Sequence, residues 1–240
     1  MINWHIQTFA STDSTQNLLR NLLNEGAGEG VVIQALEQKQ GRGRHGRDWV
    51  SPLGNLYMSF SLAPDCAADV AGQLSFVVAV ALSRAVGRVQ DGDHVRALKW
   101  PNDLLVNGKK LAGILLESDI KDGKVSYLIV GCGVNILSAP DGAIAIKDIC
   151  GDKQVPIHPF RDMVLEEVNS VYRLWKEEGF ERIREEWLAQ AYGLNEQMSV
   201  TLADKQVKGC FVDLDEKGQL LLRTEDGQDI AINSGDIYFG

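Results

Sequence analysis

The sequence is poor in the features that would tie it to metal, disulfide, lipid or nucleic acid. Its four cysteines, Cys66, Cys132, Cys150 and Cys210, include no C-x-x-C pair. That argues against a zinc site and a disulfide framework, and it suits a reducing cytoplasm. The four histidines are equally scattered. Basic residues are the minority: 24 Lys and Arg against 33 Asp and Glu leave a net charge of −9. Long-range repulsion of that sign opposes sequence-independent binding to nucleic acid or to anionic lipid, so neither DNA nor a membrane is an expected partner. The longest uncharged apolar stretch, Val70 to Ser83, is too short to cross a bilayer and meets Arg84 at once. Residues Met1 to Ala10 lack the basic and apolar regions of a signal peptide. No repeat or low-complexity segment interrupts the chain.

What is present is an ordinary apolar complement, 45% of 240 residues, enough for one medium domain and a small one. Leu18, Leu19, Leu22 and Leu23 follow the candidate caps Ser11 to Ser14 at helical spacing, and Gly26, Gly28 and Gly30 end that helix. Val31 to Leu36 reads as a buried strand. In Leu56 to Leu62 the alternation puts Leu56, Met58, Phe60 and Leu62 on one strand face. Val70 to Val89 is apolar nearly all round and reads as a buried helix. Asn107-Gly108 and Asp122-Gly123 signal two hairpins, and Val95 to Lys99 is a short strand. Residues 137–159 look irregular. Amphipathic helices are expected over Phe160 to Lys176 and Phe180 to Gln190. Beyond Gly193 only short strands follow: 199–202, 206–214, 219–223 and 229–232. The expected fold is α+β, a mixed sheet packed with helices over 1–192 and a small β-barrel over 193–240.

One segment stands against the acidic background. Gln38 to Trp49 carries Lys39, Arg42, Arg44 and Arg47 among Gly41, Gly43 and Gly46, with no acid before Asp48. Glycine lets backbone N–H groups approach a ligand, and arginine offers planar paired donors suited to phosphate. Composition alone favours a solvated basic loop, and such a loop would also suit nucleic acid. Three further segments bear on the choice. In Lys99-Trp100-Pro101-Asn102-Asp103, the lysine and the aspartate can face one side of a turn. In Lys110 to Leu115, alternation places Lys110, Ala112 and Ile114 together, with Ala112 and Gly113 leaving room for a ligand. Gly131-Cys132-Gly133-Val134-Asn135 closes a strand with two glycines.

Asp13-Ser14-Thr15, G-R-G-R-x-G-R-x-W, K-W-P-N-D, K-x-x-G-I-L and G-C-G-V-N occur here in the order found in biotin protein ligases, and the sequence strongly resembles that family over roughly residues 12 to 136. The resemblance implies a class II synthetase-like sheet and an SH3-like C-terminal barrel. It implies formation of biotinyl-5′-AMP from biotin and ATP with Mg²⁺, then transfer to a lysine of a biotin carboxyl carrier protein. It assigns biotin to Ser14, Thr15, Gln38, Gly41, Arg42, Lys110, Gly113 and Gly131. It assigns ATP to Arg42, Arg44, Arg47, Trp49, Asn102, Lys110 and Asn135. Lys110, Arg42 and Asp103 would carry the chemistry, Asp103 holding Mg²⁺ or activating the carrier lysine. Gly133 would line the pockets, and the apolar wall for biotin's tail would come from Leu111 to Leu116.

The family's usual asparagine after Ser-Thr is Gln16 here, a position expected to cap a helix rather than to act directly. The eleven residues before Thr12 hold no helix-turn-helix, so a ligase without operator binding is expected. A lipoate or other acyl-carrier ligase of the same fold is the enzymatic alternative, and a non-enzymatic biotin sensor the other. Both monomers and sheet-edge homodimers occur in the family.

Overall fold

The computed structural model describes residues 1–201, 206–233 and 235–239. Among the described residues, four α-helices and twelve strands run in the order β1 (His5–Phe9), α1 (Thr15–Asn24), β2 (Val31–Ala35), β3 (Leu56–Leu62), α2 (Gln73–Val89), β4 (Arg96–Lys99), β5 (Asp103–Val106), β6 (Lys109–Lys121), β7 (Lys124–Val134), α3 (Ile157–Glu178), α4 (Phe180–Leu188), β8 (Gln197–Thr201), β9 (Gln206–Leu214), β10 (Leu220–Arg223), β11 (Asp229–Ile232) and β12 (Asp236–Phe239). Strands β1 to β7 form one mixed sheet in the order β1-β2-β3-β7-β6-β5-β4, with only β1 and β2 parallel. The other five strands form a second, antiparallel sheet in the order β11-β10-β9-β8-β12, the small SH3-like unit the sequence leads one to expect.

Both faces of the large sheet are covered, so β3 is buried at every residue. Leu56, Met58, Phe60 and Leu62 join the main core, and α2 is buried almost all round, as its composition requires. Each fully buried Leu or Val of that helix contributes about 1.5–3 kcal/mol. On the opposite face Leu19 and Leu23 of α1 close on Ile33 and Ile129 as a small second core. Gly26, at φ +100, ends α1. The two hairpin turns are as expected: Asn107 and Gly108 have φ 51 and 74, Asp122 and Gly123 φ 52 and 76.

Several expectations shift. Strand β1 escaped the pattern because it is an edge strand whose residues are mostly exposed and therefore show no alternation. Strand β12 also has no counterpart among the predicted strands; it pairs with β8. The predicted strand 199–202 starts earlier, at Gln197, and Leu202 lies outside the described residues. Helix α3 begins at Ile157, three residues before the expected start. Pro159 is tolerated there because N–H groups of a first helical turn have no intrahelical acceptor to lose.

The second sheet is seated on the first unit through the Glu216–Gly218 turn and through α4, where Arg184 Nε donates to Leu214 O at 2.7 Å. Gly218 O accepts from Trp100 Nε1 at 3.1 Å in a buried bond. Glu216 O accepts from Gln73 Nε2 at 2.9 Å, and Lys217 pairs with Asp69 at 2.8 Å. Trp187 packs edge-on against Phe76 and Phe211, bridging the two units. Gly218 has φ +79, and a Cβ there would stand 2.6 Å from Phe76 Cε2. Phe76 is held by Phe180 and Trp187. Gly218→Ala is therefore expected to cost about 1–3 kcal/mol, to be read from urea unfolding; an unchanged midpoint would mean the turn is not fixed by this packing.

Candidate active site

Strands β6 and β7 lie side by side with Gly113 opposite Gly133 and Leu115 opposite Gly131. Three of these four positions lack a side chain, so the sheet face there is a shallow floor. The space above it is a cavity of about 540 Å³, lined by α1's N-terminus, the Arg-Gly loop, the Lys99–Asp103 segment and Gly235 and Ile237 of the C-terminal unit. Its size is that of a small-molecule site. Five cations reach it (Arg42, Arg44, Arg47, Lys99 and Lys110) against two carboxylates, Asp48 and Asp103. In a chain of net charge −9 this is a local reversal of sign, and low-dielectric walls focus it on an anionic ligand.

The loop holding three of those cations folds back on itself. Trp49 N donates to Gly41 O at 2.9 Å and Gly43 N to Arg47 O at 2.7 Å. Gly41 is buried under the Trp49 carbonyl, and a Cβ there would also sit 2.6 Å from Ser51 Oγ. Gln38 ties the loop's base to α1: its Oε1 accepts from Thr15 N at 2.9 Å and Thr15 Oγ1 at 3.1 Å, and its Nε2 donates to Ser51 Oγ at 3.1 Å. Thr15 and Ser59 hydroxyls meet at 2.8 Å. Ser14 is the N-cap residue of α1, but its side chain makes no capping bond. It faces the cavity instead.

Trp49 lies on the glycine floor. A Cβ on Gly133 would be 2.5 Å from its Cε2, and one on Gly113 3.0 Å from its Cζ3. Lys110 Nζ sits 5.2 Å from the ring centroid, within cation–π range. The indole Nε1 is buried with no hydrogen-bond partner among the described residues, an arrangement that costs free energy unless something accepts from it.

Lys110 Nζ also stands 2.7 Å from Asp103 Oδ1, an ion pair whose geometry is not that of a hydrogen bond. Lys99 and Asp103 share one side, as the sequence suggests, and both line the cavity. The two are cross-strand neighbours in β4 and β5, and Lys110 on the next strand adds its own ion pair with Asp103. One correction concerns the face that Lys110 shares. The β5–β6 register slips between Leu104 and Leu105, with Leu104 opposite Ala112 and Leu105 opposite Lys110. This bulge breaks the alternation. Lys110 therefore lies against Gly113, whereas Ala112 is fully buried in the main core and leaves no room in the cavity. Of the expected apolar wall, Leu111 is likewise core; Ile114 and Leu115 line the cavity.

Asn102 and Asn135 act as ties. Asn102 Nδ2 donates to Ile114 O at 2.6 Å, fastening its segment to β6. Asn135 Nδ2 donates to Ile144 O at 3.1 Å. All the sequence-predicted site residues except Gly41 line the one cavity, and Gly41 sits beneath its loop. Gln16 was under-read: it lies in the cavity, 5% exposed, its Nε2 3.4 Å from Leu115 O. Its Oε1 occupies the space that a Cβ on Gly131 would take. Arg20, Asn17 and Glu117, which join Arg42 in one charged network, have no counterpart among the sequence-predicted residues. The signal for Glu117 was there, since Gly113, Leu115 and Glu117 alternate along one strand.

Two family models match the chain, one described as "Biotin/lipoate A/B protein ligase family" over residues 8–135 and one as "Biotin protein ligase C terminal domain" over residues 193–240. A biotin–[acetyl-CoA-carboxylase] ligase of Paracoccus denitrificans is 37% identical, the match covering 96% of this chain and 99% of that one. Among solved structures, the biotin protein ligase from Aquifex aeolicus in complex with biotin and ATP superimposes with a TM-score of 0.83 at 28% identity, over 98% of this chain and 99% of that one. The Leishmania major biotin protein ligase in complex with biotinyl-5-AMP superimposes at 0.68 and 27% identity, over 96% and 99% of the two chains.

Two outcomes test the geometry. Gly133→Ala must expel the Trp49 ring, so an altered near-ultraviolet circular dichroism signal and a loss of about 1–3 kcal/mol are expected; an unchanged spectrum would place the ring elsewhere. Cys132, beneath the floor, has its thiol pushed up to about 12 by burial. Because the thiolate forms only as pH approaches that value, iodoacetamide at about pH 8 should leave Cys132 unlabelled in the folded protein. Labelling there without unfolding would contradict the burial.

Proposed function

The chain belongs to the biotin/lipoate A/B protein ligase family, and we infer that it is a biotin protein ligase, forming biotinyl-5′-AMP from biotin and ATP and passing the biotinyl group to a protein lysine. The observation that carries this reading is the cluster of five cations around a cavity in an acidic chain. In the first step a carboxylate oxygen of biotin attacks the α-phosphorus of ATP. A new P–O bond forms, the α–β bridge bond breaks, and pyrophosphate leaves. Two unit charges 4 Å apart repel by about 4 kcal/mol at an effective dielectric of about 20, and preorganised cations offset that charge as it concentrates in the transition state.

In this reading Lys110 bridges the biotin carboxylate and the α-phosphate, with Trp49 and Asp103 fixing its position. Arg42 receives the carboxylate and phosphate, and Arg44 and Arg47 the ATP phosphates. The uncharged group Ser14, Thr15, Gln16 and Gln38 takes the ureido ring, and Gly41, Gly113 and Gly131 admit the ligand closely. Trp49 stacks near adenine, and Asn102 and Asn135 hold the surrounding segments. In the second step the carrier's amine attacks the acyl carbon of the mixed anhydride. AMP departs with the bonding pair, and the nitrogen gives up a proton.

Mg²⁺ would accompany the ATP phosphates. No cluster of three ligating side chains occurs among the described residues, and Asp103 is a single carboxylate. That fits an ion held largely by phosphate oxygens and water, which supplies charge neutralisation when bound. The protein substrate is acetyl-CoA carboxylase, by the name of the Paracoccus relative, and more finely its biotin carboxyl carrier segment. We place the enzyme in the cytoplasm, where its four cysteines would stay as free thiols. Residues 1–192 would be the catalytic part and 193–240 the barrel that closes one side of the site.

Lys110→Ala and Arg42→Ala should each slow adenylate formation by about 10²-fold or more, measured as pyrophosphate release with biotin and ATP. A variant with near-normal turnover would remove that residue from the mechanism. Activation of labelled lipoate but not biotin would reject the biotin assignment in favour of lipoate.

A further inference from the structure

Outside the residues already given roles, one charged network reaches into the site. Glu117 lies on β6 two residues beyond Leu115 and four beyond Gly113, on the face that floors the cavity. Its Oε2 accepts from Arg20 Nη2 at 2.6 Å and its Oε1 from Arg42 Nη2 at 3.2 Å. The same Arg42 nitrogen donates to Asn17 Oδ1 at 2.7 Å. Asn17 and Arg20 belong to α1, whose first residues line the cavity.

We propose that Glu117, with Asn17, is a positioning residue that orients the Arg42 guanidinium for an acid group of the ligand. The proposal rests on the reading that Arg42 meets the biotin carboxylate. An exposed loop arginine otherwise divides its time among many rotamers, and ordering it on ligand binding costs affinity. Here one acceptor from α1 and one from β6 grip a single nitrogen, Nη2, which fixes the plane of the guanidinium and leaves Nη1 to donate to a carboxylate. Glu117 by itself would repel an incoming anion. Arg20, at 2.6 Å from it, offsets that charge, so the row Arg20–Glu117–Arg42 presents net positive charge to the cavity. The carboxylate's side chain is only 22% exposed, against 41% for Arg42, so the holder is better fixed than the group it holds.

An ion-pair network that merely fastens α1 to β6 would affect every ligand alike, whereas an arginine positioner affects only ligands that carry the acid. Calorimetry without nucleotide should therefore compare biotin with its neutral methyl ester. The expected result for Glu117→Ala is about 5- to 10-fold weaker biotin binding, the loss of a charge-assisted contact, with ester binding unchanged. The ester is also the control for folding. Glu117→Gln keeps an acceptor without the charge and should fall between Glu117→Ala and wild type. Arg42→Ala should reduce the preference for acid over ester, leaving only the part that Lys110 supplies. Equal weakening of acid and ester in Glu117→Ala, no change in either, or tighter biotin binding would each overturn the proposal while leaving the role of Arg42 intact. An undiminished acid preference in Arg42→Ala would overturn both.

Discussion

A strand normally puts a side chain on each face at every second residue, and the cavity exists because β6 and β7 break that rule together. Gly113 and Gly133 are cross-strand partners, and Gly131 faces Leu115 one step along. The missing Cβ atoms are where Gln16, Trp49 and Lys110 come down to the sheet. Any side chain larger than hydrogen at Gly131 or Gly133 would meet Gln16 or the indole at distances that real atoms do not adopt. Close approach of backbone is the constraint from which the shape of the site follows.

Upon that floor the charges are arranged by the chain's topology. Lys110 and Asp103 come from two strands of a hairpin, Arg42 from a loop after β2, and Glu117, Asn17 and Arg20 from β6 and α1. Such an arrangement is favourable only where the anion it awaits is present, since like charges gathered in a low dielectric repel. Two internal acids, Asp103 and Glu117, stand in part for that anion, each against one of the cations that the reaction needs. The C-terminal unit enters through Gly235 and Ile237 at the cavity and through the turn at Glu216–Gly218. Trp100, which takes that turn's carbonyl, is the neighbour of Pro101 and Asn102 in the cavity wall. The small unit is thereby joined to the segment carrying Asp103.

Much of this was legible from local chemistry. Helix α2 is apolar all round, the Asn107-Gly108 and Asp122-Gly123 turns need left-handed backbone, and glycine alternating with arginine marks a ligand loop. The segments that escaped did so for stated reasons. Strand β1 is exposed at an edge and so carries no burial pattern. The start of α3 was hidden because Pro159 reads as a helix breaker, although it is harmless in a first turn.

By itself the sequence determined which residue types the chain possesses for its chemistry, in what order, and the periodicities that select helix or strand, because those depend on near neighbours along the backbone. Only the tertiary structure decided which groups meet. The bulge opposite Leu104 and Leu105 turned Lys110 toward Gly113 and Ala112 into the core. Asp103 gained the ion pair with Lys110 from the neighbouring strand. Gln16 became part of the cavity, and Glu117 and Arg42, 75 residues apart, came into contact. Pairing register and the packing of a helix on a sheet are set by the whole fold, and no local pattern encodes a one-residue slip that changes which side chains share a face.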